Sequence, residues 1–191
     1  MFEAATKKKV ALFLADGCEE IEALTVADIL FRAGIECVKV SVRPTPVVCS
    51  SHNVTIVADT TVDHLEWESF DMLVLPGGMP GTLNLKACKP LTDAVLRFVR
   101  EDKPVAAICA APSVLAELGI LRGVRCTCNP SVEPILIDNG ADLVRENAVV
   151  TGRIITSRGM GTAIPFGLAI VAYYLGKETA DALGRNILYY Q

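Results

Sequence analysis

Short apolar runs alternate with longer amphipathic stretches along nearly the whole chain, and this alternation restricts the fold more than any other feature. "KVALFLA" reads as a buried strand, "EEIEALTVADILFRAG" as an amphipathic helix closed by Gly34, and "ECVKVSV" as a second strand. "VTIVAD" lies in an extended region after the proline-punctuated "RPTPVV", and "FDMLVLPGG" is a third buried strand ending in a glycine turn. "LTDAVLRFVRED" reads as a helix, "KPVAAIC" as a fourth, parallel-type strand, and "APSVLAELGIL" as another helix. Shorter strand-like pieces follow, "VRCTC", "ADLV", "AVVTG" and "IITSRG". A long apolar helix from about Thr162 to Leu175 and a shorter one through Ala182 close the chain. Strands alternating with helices argue for a mainly parallel sheet covered on both faces. The expected fold class is α/β: a flavodoxin-like, doubly wound three-layer sandwich, whose functional groups gather beyond the carboxyl ends of the strands.

At 191 residues, 51% of them hydrophobic, the chain is expected to form a single domain over 1–191, with 1–8 a loosely held lead-in. A net charge of −4 gives no reason to expect nucleic acid or an anionic membrane as partner. The apolar run after Lys7–Lys9 breaks at Asp16, too soon for a signal sequence, and no later segment is suited to span a bilayer. A cytoplasmic location is therefore expected, with the seven cysteines as reduced thiols, most of them small core residues. They form no paired CxxC knuckles, and no GxGxxG or P-loop follows any strand, so no metal, nucleotide or other cofactor is expected.

Three stretches end core strands and can converge at one sheet edge: "ADGCEEIE", "LPGGMPG" and Cys109. Cys109 stands at a strand-to-helix turn, the elbow position of a nucleophile, between the small residues Ala107, Ala110 and Ala111 and ahead of Pro112. A helix N-terminus lowers a thiol pKa, which favours a reactive thiolate. A buried structural cysteine is the alternative that the turn alone leaves open. Glu22 shares a helical stripe with Val26 and Ile29, so it leans toward the core, where a carboxyl has a raised pKa and can donate or relay a proton. Gly77 and Gly78 let the main chain approach a ligand, and their N–H groups with that of Ala110 could form an oxyanion pocket.

Taken together, "ADGCEEIEA", "VLPGGMPG", "AAICAAP" and "ITSRGMGT" resemble the DJ-1/ThiJ/PfpI superfamily, in the branch of parkinsonism-associated protein deglycase and its bacterial relatives. The resemblance runs from about Lys9 to the end of the chain. It implies a homodimer, with Cys109 as nucleophile, Glu22 as the buried glutamate beside it, and Gly78 and Ala110 as backbone donors. It implies glyoxalase or deglycase chemistry on reactive dicarbonyls such as methylglyoxal or on glycated protein, or else a role as oxidation sensor or redox chaperone.

Two departures carry information. Ala110 stands where the peptidase-like branch has histidine, which removes the local base of a Cys-His dyad and argues against proteolysis. Asn129, in "CTCNP", stands where human-like members have histidine; it can bond a substrate oxygen but cannot exchange a proton near neutral pH. His52 could reach a dimer-proximal site, Arg158 could lie near the pocket or be structural, and Cys128 could supply a second thiol. The leading expectation is a Cys109 hemithioacetal with Glu22 relaying the proton between the neighbouring carbon and oxygen. The alternative is a sensor in which Cys109 becomes a sulfinate.

Overall fold

The structure, a computed structural model, describes residues 2–190. β1 (Lys9–Leu14), β2 (Glu36–Ser41), β5 (Thr60–Thr61), β6 (Met72–Leu75), β7 (Val105–Ile108), β10 (Ala148–Thr151) and β11 (Ile154–Ser157) form one sheet in the order β10-β11-β7-β6-β1-β2-β5. Every pairing in it is parallel except β10 with β11. Two small ribbons lie outside it: β3 (Val47–Cys49) with β4 (Thr55–Val57), antiparallel, and β8 (Arg125–Cys126) with β9 (Asp142–Leu143), parallel. The arrangement is the expected flavodoxin-like class.

Alternation along β1 shows why both faces are covered. Ala11 and Phe13 point into one apolar cluster, while Val10, Leu12 and Leu14 point into the other, and all are fully buried. The first cluster holds Leu91, Val95 and Phe98 of α3 (Lys89–Arg100) and Val114 and Leu115 of α4 (Pro112–Glu117). The second holds Val26, Ile29 and Leu30 of α1 (Glu20–Arg32) and Phe166, Ile170 and Val171 of α6 (Ala163–Leu175), with Ala180 and Leu183 of α7 (Lys177–Asn186). Side chains of this size contribute roughly 1.5–3 kcal/mol each when fully buried. The other α-helices among the described residues are α2 (Gly81–Ala87) and α5 (Glu133–Asp138).

The chain leaves β1 for α1 on one face and leaves β6 for α2 and α3 on the other. The turns after β1 and β6 therefore diverge, which opens a crevice at the carboxyl end of the sheet's centre. One element is shorter than its sequence suggests. "APSVLAELGIL" keeps helix only over Pro112–Glu117, because Gly119, at a φ of 77°, turns the chain.

Candidate active site

Cys109 follows β7 directly and has a φ of 66°, a left-handed conformation that residues with a side chain rarely adopt. Its two backbone groups are both held. Its N–H donates to Ser157 O at 3.0 Å, and its carbonyl accepts from Asn129 N–H at 2.8 Å. The side chain is thereby aimed into the crevice against the cluster that contains α1.

Glu22 reaches the same place from α1. Glu19 accepts the Glu22 N–H at 2.7 Å as the helix N-cap, which sets the first turn and points Glu22 inward, where it is 1% exposed. Oε2 accepts the Gly77 N–H at 2.8 Å. Oε1 is buried with no nitrogen or oxygen partner, and the polar group facing the carboxyl is the Cys109 thiol. Gly77 must lack a side chain: a Cβ there would fall 2.5 Å from Cys109 Cβ and 2.7 Å from Glu22 Oε2. Gly78, at a φ of 88°, turns its N–H, like that of Ala110, toward Cys109 Sγ.

Burial pushes the Glu22 carboxyl up to about 7, against the opposing pull of the Cys109 thiol and the Gly77 N–H. Burial also pushes the Cys109 thiol up to about 12, followed by the charge of Glu22 and its hydrogen bond; the N–H groups of Gly78 and Ala110 act in the other direction. The depressed thiol pKa expected from a helix N-terminus is not found. α4 has six residues and too small a dipole to offset a buried carboxylate. The two groups instead form one titrating pair. Once one proton has left, the thiolate form is the arrangement in which the remaining proton sits on Glu22 and three donors, Glu22, Gly78 and Ala110, face the sulfur.

The other expected residues are placed as follows. Gly77 does not donate into the pocket, since its N–H is taken by Glu22. Asn129 lies beside the pocket with its backbone tied to Cys109. Cys128 is 1% exposed and packs in the opposite apolar cluster, so it is not a second thiol of this pocket. Arg158 lies at the end of β11 with Nη2 4.0 Å from Glu133 Oε1, turned to that carboxylate rather than to Cys109. His52 has a side chain 68% exposed, with Nδ1 3.1 Å from Glu20 Oε1, and makes no hydrogen bond to Cys109 or Glu22.

His52, Glu20 and Glu19 have ligand-type atoms within 4.8 Å of one another. They lie at the positive end of α1, with Glu19 already capping it, which disfavours a cation there.

Sequence reasoning did not single out Ser131 or Gly159. Oδ1 of Asn129 accepts from Ser131 N–H at 3.0 Å and from Ser131 Oγ at 2.8 Å. An Asn-Pro-Ser run, with asparagine ahead of a proline that opens a turn, carried that signal. Gly159 faces Asn129, Cys109 and Glu22 together, and Thr162 Oγ1 holds its backbone by accepting the N–H groups of Arg158 and Gly159 at 3.1 and 3.0 Å.

A sequence profile of the DJ-1/PfpI family matches residues 8–173. The chain is 36% identical over 186 residues to protein DJ-1 homolog A of Arabidopsis thaliana, covering 97% of this chain and 47% of that protein. It thus spans about half the length of that relative. It is 33% identical over 180 residues to a Caenorhabditis elegans protein named glutathione-independent glyoxalase DJR-1.2, covering 94% and 95% of the two chains. Its fold is similar to that of oxidized Toxoplasma gondii DJ-1, with a TM-score of 0.91, 33% identity, and coverage of 96% of this chain and 100% of that one.

Proposed function

The chain belongs to the DJ-1/PfpI family, and on that premise we propose that it is a cofactor-independent cysteine enzyme acting on reactive dicarbonyls such as methylglyoxal, or on their protein adducts. The observation that carries this reading is the convergence on Cys109 Sγ of a buried carboxyl and two backbone N–H groups. The thiolate attacks the aldehyde carbon. An S–C bond forms, the carbonyl π pair moves onto oxygen between the Gly78 and Ala110 N–H groups, and the Glu22 proton neutralises it to a hemithioacetal. The Glu22 carboxylate then takes the C–H proton next to sulfur. Return of that proton from Glu22 to the neighbouring carbon, with transfer of the hydroxyl proton to the former ketone oxygen, gives a 2-hydroxy thioester. Water cleaves the thioester, releasing the 2-hydroxy acid and restoring the thiol. One water is consumed and no external electron carrier is needed.

Conversion of methylglyoxal to lactate, followed by loss of the dicarbonyl absorbance and by product assay, tests the reading. Wild-type protein is expected to turn over, and Cys109→Ala and Glu22→Gln to lose at least about a hundredfold in kcat/KM. Wild-type turnover that survives in Cys109→Ala would overturn it.

The same donors support a second reading. Two N–H groups and an unpartnered carboxyl oxygen beside one sulfur suit the oxygens of a cysteine sulfinate formed by peroxide, so Cys109 can serve as an oxidation sensor. No turnover, together with sulfinate on Cys109 alone after peroxide, would favour the sensor. Homodimer formation is also proposed. It is supported by the exposed Leu24 and Leu188, which line a groove of about 560 Å³ between α1, α6 and the end of α7. Light scattering on wild type and Leu24→Lys should show a dimer that weakens in the variant; a wild-type monomer would refute it. No helix among the described residues is long and apolar enough to cross a membrane.

A further inference from the structure

Asn129 opens the short turn Pro130–Val132, and its Oδ1 is occupied by two donors from Ser131, at 3.0 and 2.8 Å. An amide whose oxygen is engaged in this way has only its NH2 left to face elsewhere, so the Ser131 bonds fix its orientation. Nδ2 has no partner among the described residues. The space above Gly159 shows where it is aimed: a Cβ built there would fall 3.5 Å from Asn129 Nδ2, 3.9 Å from Cys109 Sγ and 3.9 Å from Glu22 Oε1. Nucleophile, proton carrier and amide donor therefore converge on one carbon-sized point. The frame is stiff, because Asn129 N–H donates to the carbonyl of Cys109 itself at 2.8 Å.

We propose that Asn129, held by Ser131, is a specificity-determining residue of this site, donating from Nδ2 to an oxygen on the carbon next to the aldehyde. The site would then select aldehydes that carry a neighbouring carbonyl or carboxylate oxygen over plain aldehydes. The proposal rests on the cysteine–aldehyde reading above. Its chemical step is the addition already described: sulfur bonds to the aldehyde carbon, and the carbonyl oxygen gains the electron pair and a proton. With the aldehyde oxygen on the Gly78 and Ala110 N–H groups, Asn129 Nδ2 is the further donor beside Cys109 that is left for the neighbouring oxygen. An amide neither takes nor releases a proton near neutrality, so Asn129 orients the substrate while Glu22 carries the proton.

The test measures reversible adduct formation rather than turnover. Protection of Cys109 from alkylation, read by intact-protein mass spectrometry, gives apparent affinities for methylglyoxal and for propanal, which lacks the second oxygen. Their ratio is compared among wild type, Asn129→Asp, Asn129→Leu and Ser131→Ala. Intrinsic reactivity and hydration of the aldehydes cancel between variants. Loss of the donor in either Asn129 variant should lower the methylglyoxal-to-propanal ratio by about 3- to 10-fold, with a smaller fall in Ser131→Ala, which keeps the amide and frees its orientation. Ser131→Ala also keeps the idea testable where an Asn129 variant folds poorly. An unchanged ratio in folded variants that still form adducts would overturn the Asn129 proposal and leave the enzyme reading intact. Failure of wild-type Cys109 to form an adduct with either aldehyde would overturn the enzyme reading, and this inference with it.

Discussion

Cys109 and Cys128 both have thiols pushed up to about 12, yet their surroundings give that shift opposite meanings. At Cys128 burial leads, with Glu133 and Cys126 adding to it and Arg158 opposing. Its carboxylate neighbour Glu133 is itself held below the usual range by Arg145 and keeps no proton to lend. At Cys109 the neighbouring carboxyl is raised to about 7, so it can hold the proton that the sulfur gives up. A raised thiol pKa therefore does not by itself separate a core cysteine from a nucleophile. What separates them is a second group able to take the proton, and N–H donors placed to hold the charge that is left.

The largest expected contrast is in labelling. Iodoacetamide or peroxide should modify Cys109 on the order of a thousandfold faster than Cys128, since reaching a fully buried core thiol requires local opening. Comparable rates, resolved by peptide mapping, would erase the distinction between the two sites.

The two carboxyls should then differ in sign when stability is followed against pH. Below about pH 4.5 Glu22 is protonated in both folded and unfolded chains. As pH rises toward 7 the unfolded chain loses a proton that the folded one retains, so Glu22 costs stability over that window. Glu22→Gln keeps the acceptor for Gly77 and should be more stable than wild type above pH 7 by up to about 3 kcal/mol, an advantage that vanishes below pH 4.5. Glu133, lowered by Arg145, should do the reverse: Glu133→Gln loses stability at neutral pH, and the loss disappears in acid. Urea titrations at pH 4, 6 and 8 would show both slopes, and parallel curves for Glu22→Gln and wild type would contradict the raised carboxyl.

The kinetics of Cys109 give the next test. Alkylation of wild type should rise through about pH 7 as the pair loses its first proton, whereas Glu22→Gln should have its inflection above 9 and react at least about tenfold more slowly at pH 7. An inflection indifferent to residue 22 would mean that the pair does not share its proton.

Much of this was legible in the sequence, and the failures have physical causes. Alternating apolar strands and amphipathic helices are local patterns, so the sheet class and the inward lean of Glu22 could be read from periodicity. Hydrogen-bond assignment could not. Whether the Gly77 N–H faces a ligand or the Glu22 carboxyl depends on a contact 55 residues away. The direction of the Cys109 shift depends on how deeply two distant segments bury each other, which no spacing rule reports. Cys128 and Asn129 are adjacent in sequence, yet one packs in the far core and the other beside the nucleophile.

The smallest expected effect concerns the backbone at the two cysteines. Cys109 has a φ of 66° where Cys128 has no positive φ, so glycine should relieve conformational strain at the first position and only loosen the unfolded chain at the second. Cys109→Gly is expected to be more stable than Cys109→Ala by about 1 kcal/mol, while Cys128→Gly should be less stable than Cys128→Ala by a similar amount. Each pair lacks the same thiol, so the comparison isolates φ from chemistry. Thermal or urea unfolding of the four variants would reveal the crossing. Should alanine prove the more stable at both positions, the elbow at Cys109 would hold no strain, and the sharp turn would owe its shape to the Ser157 and Asn129 hydrogen bonds alone.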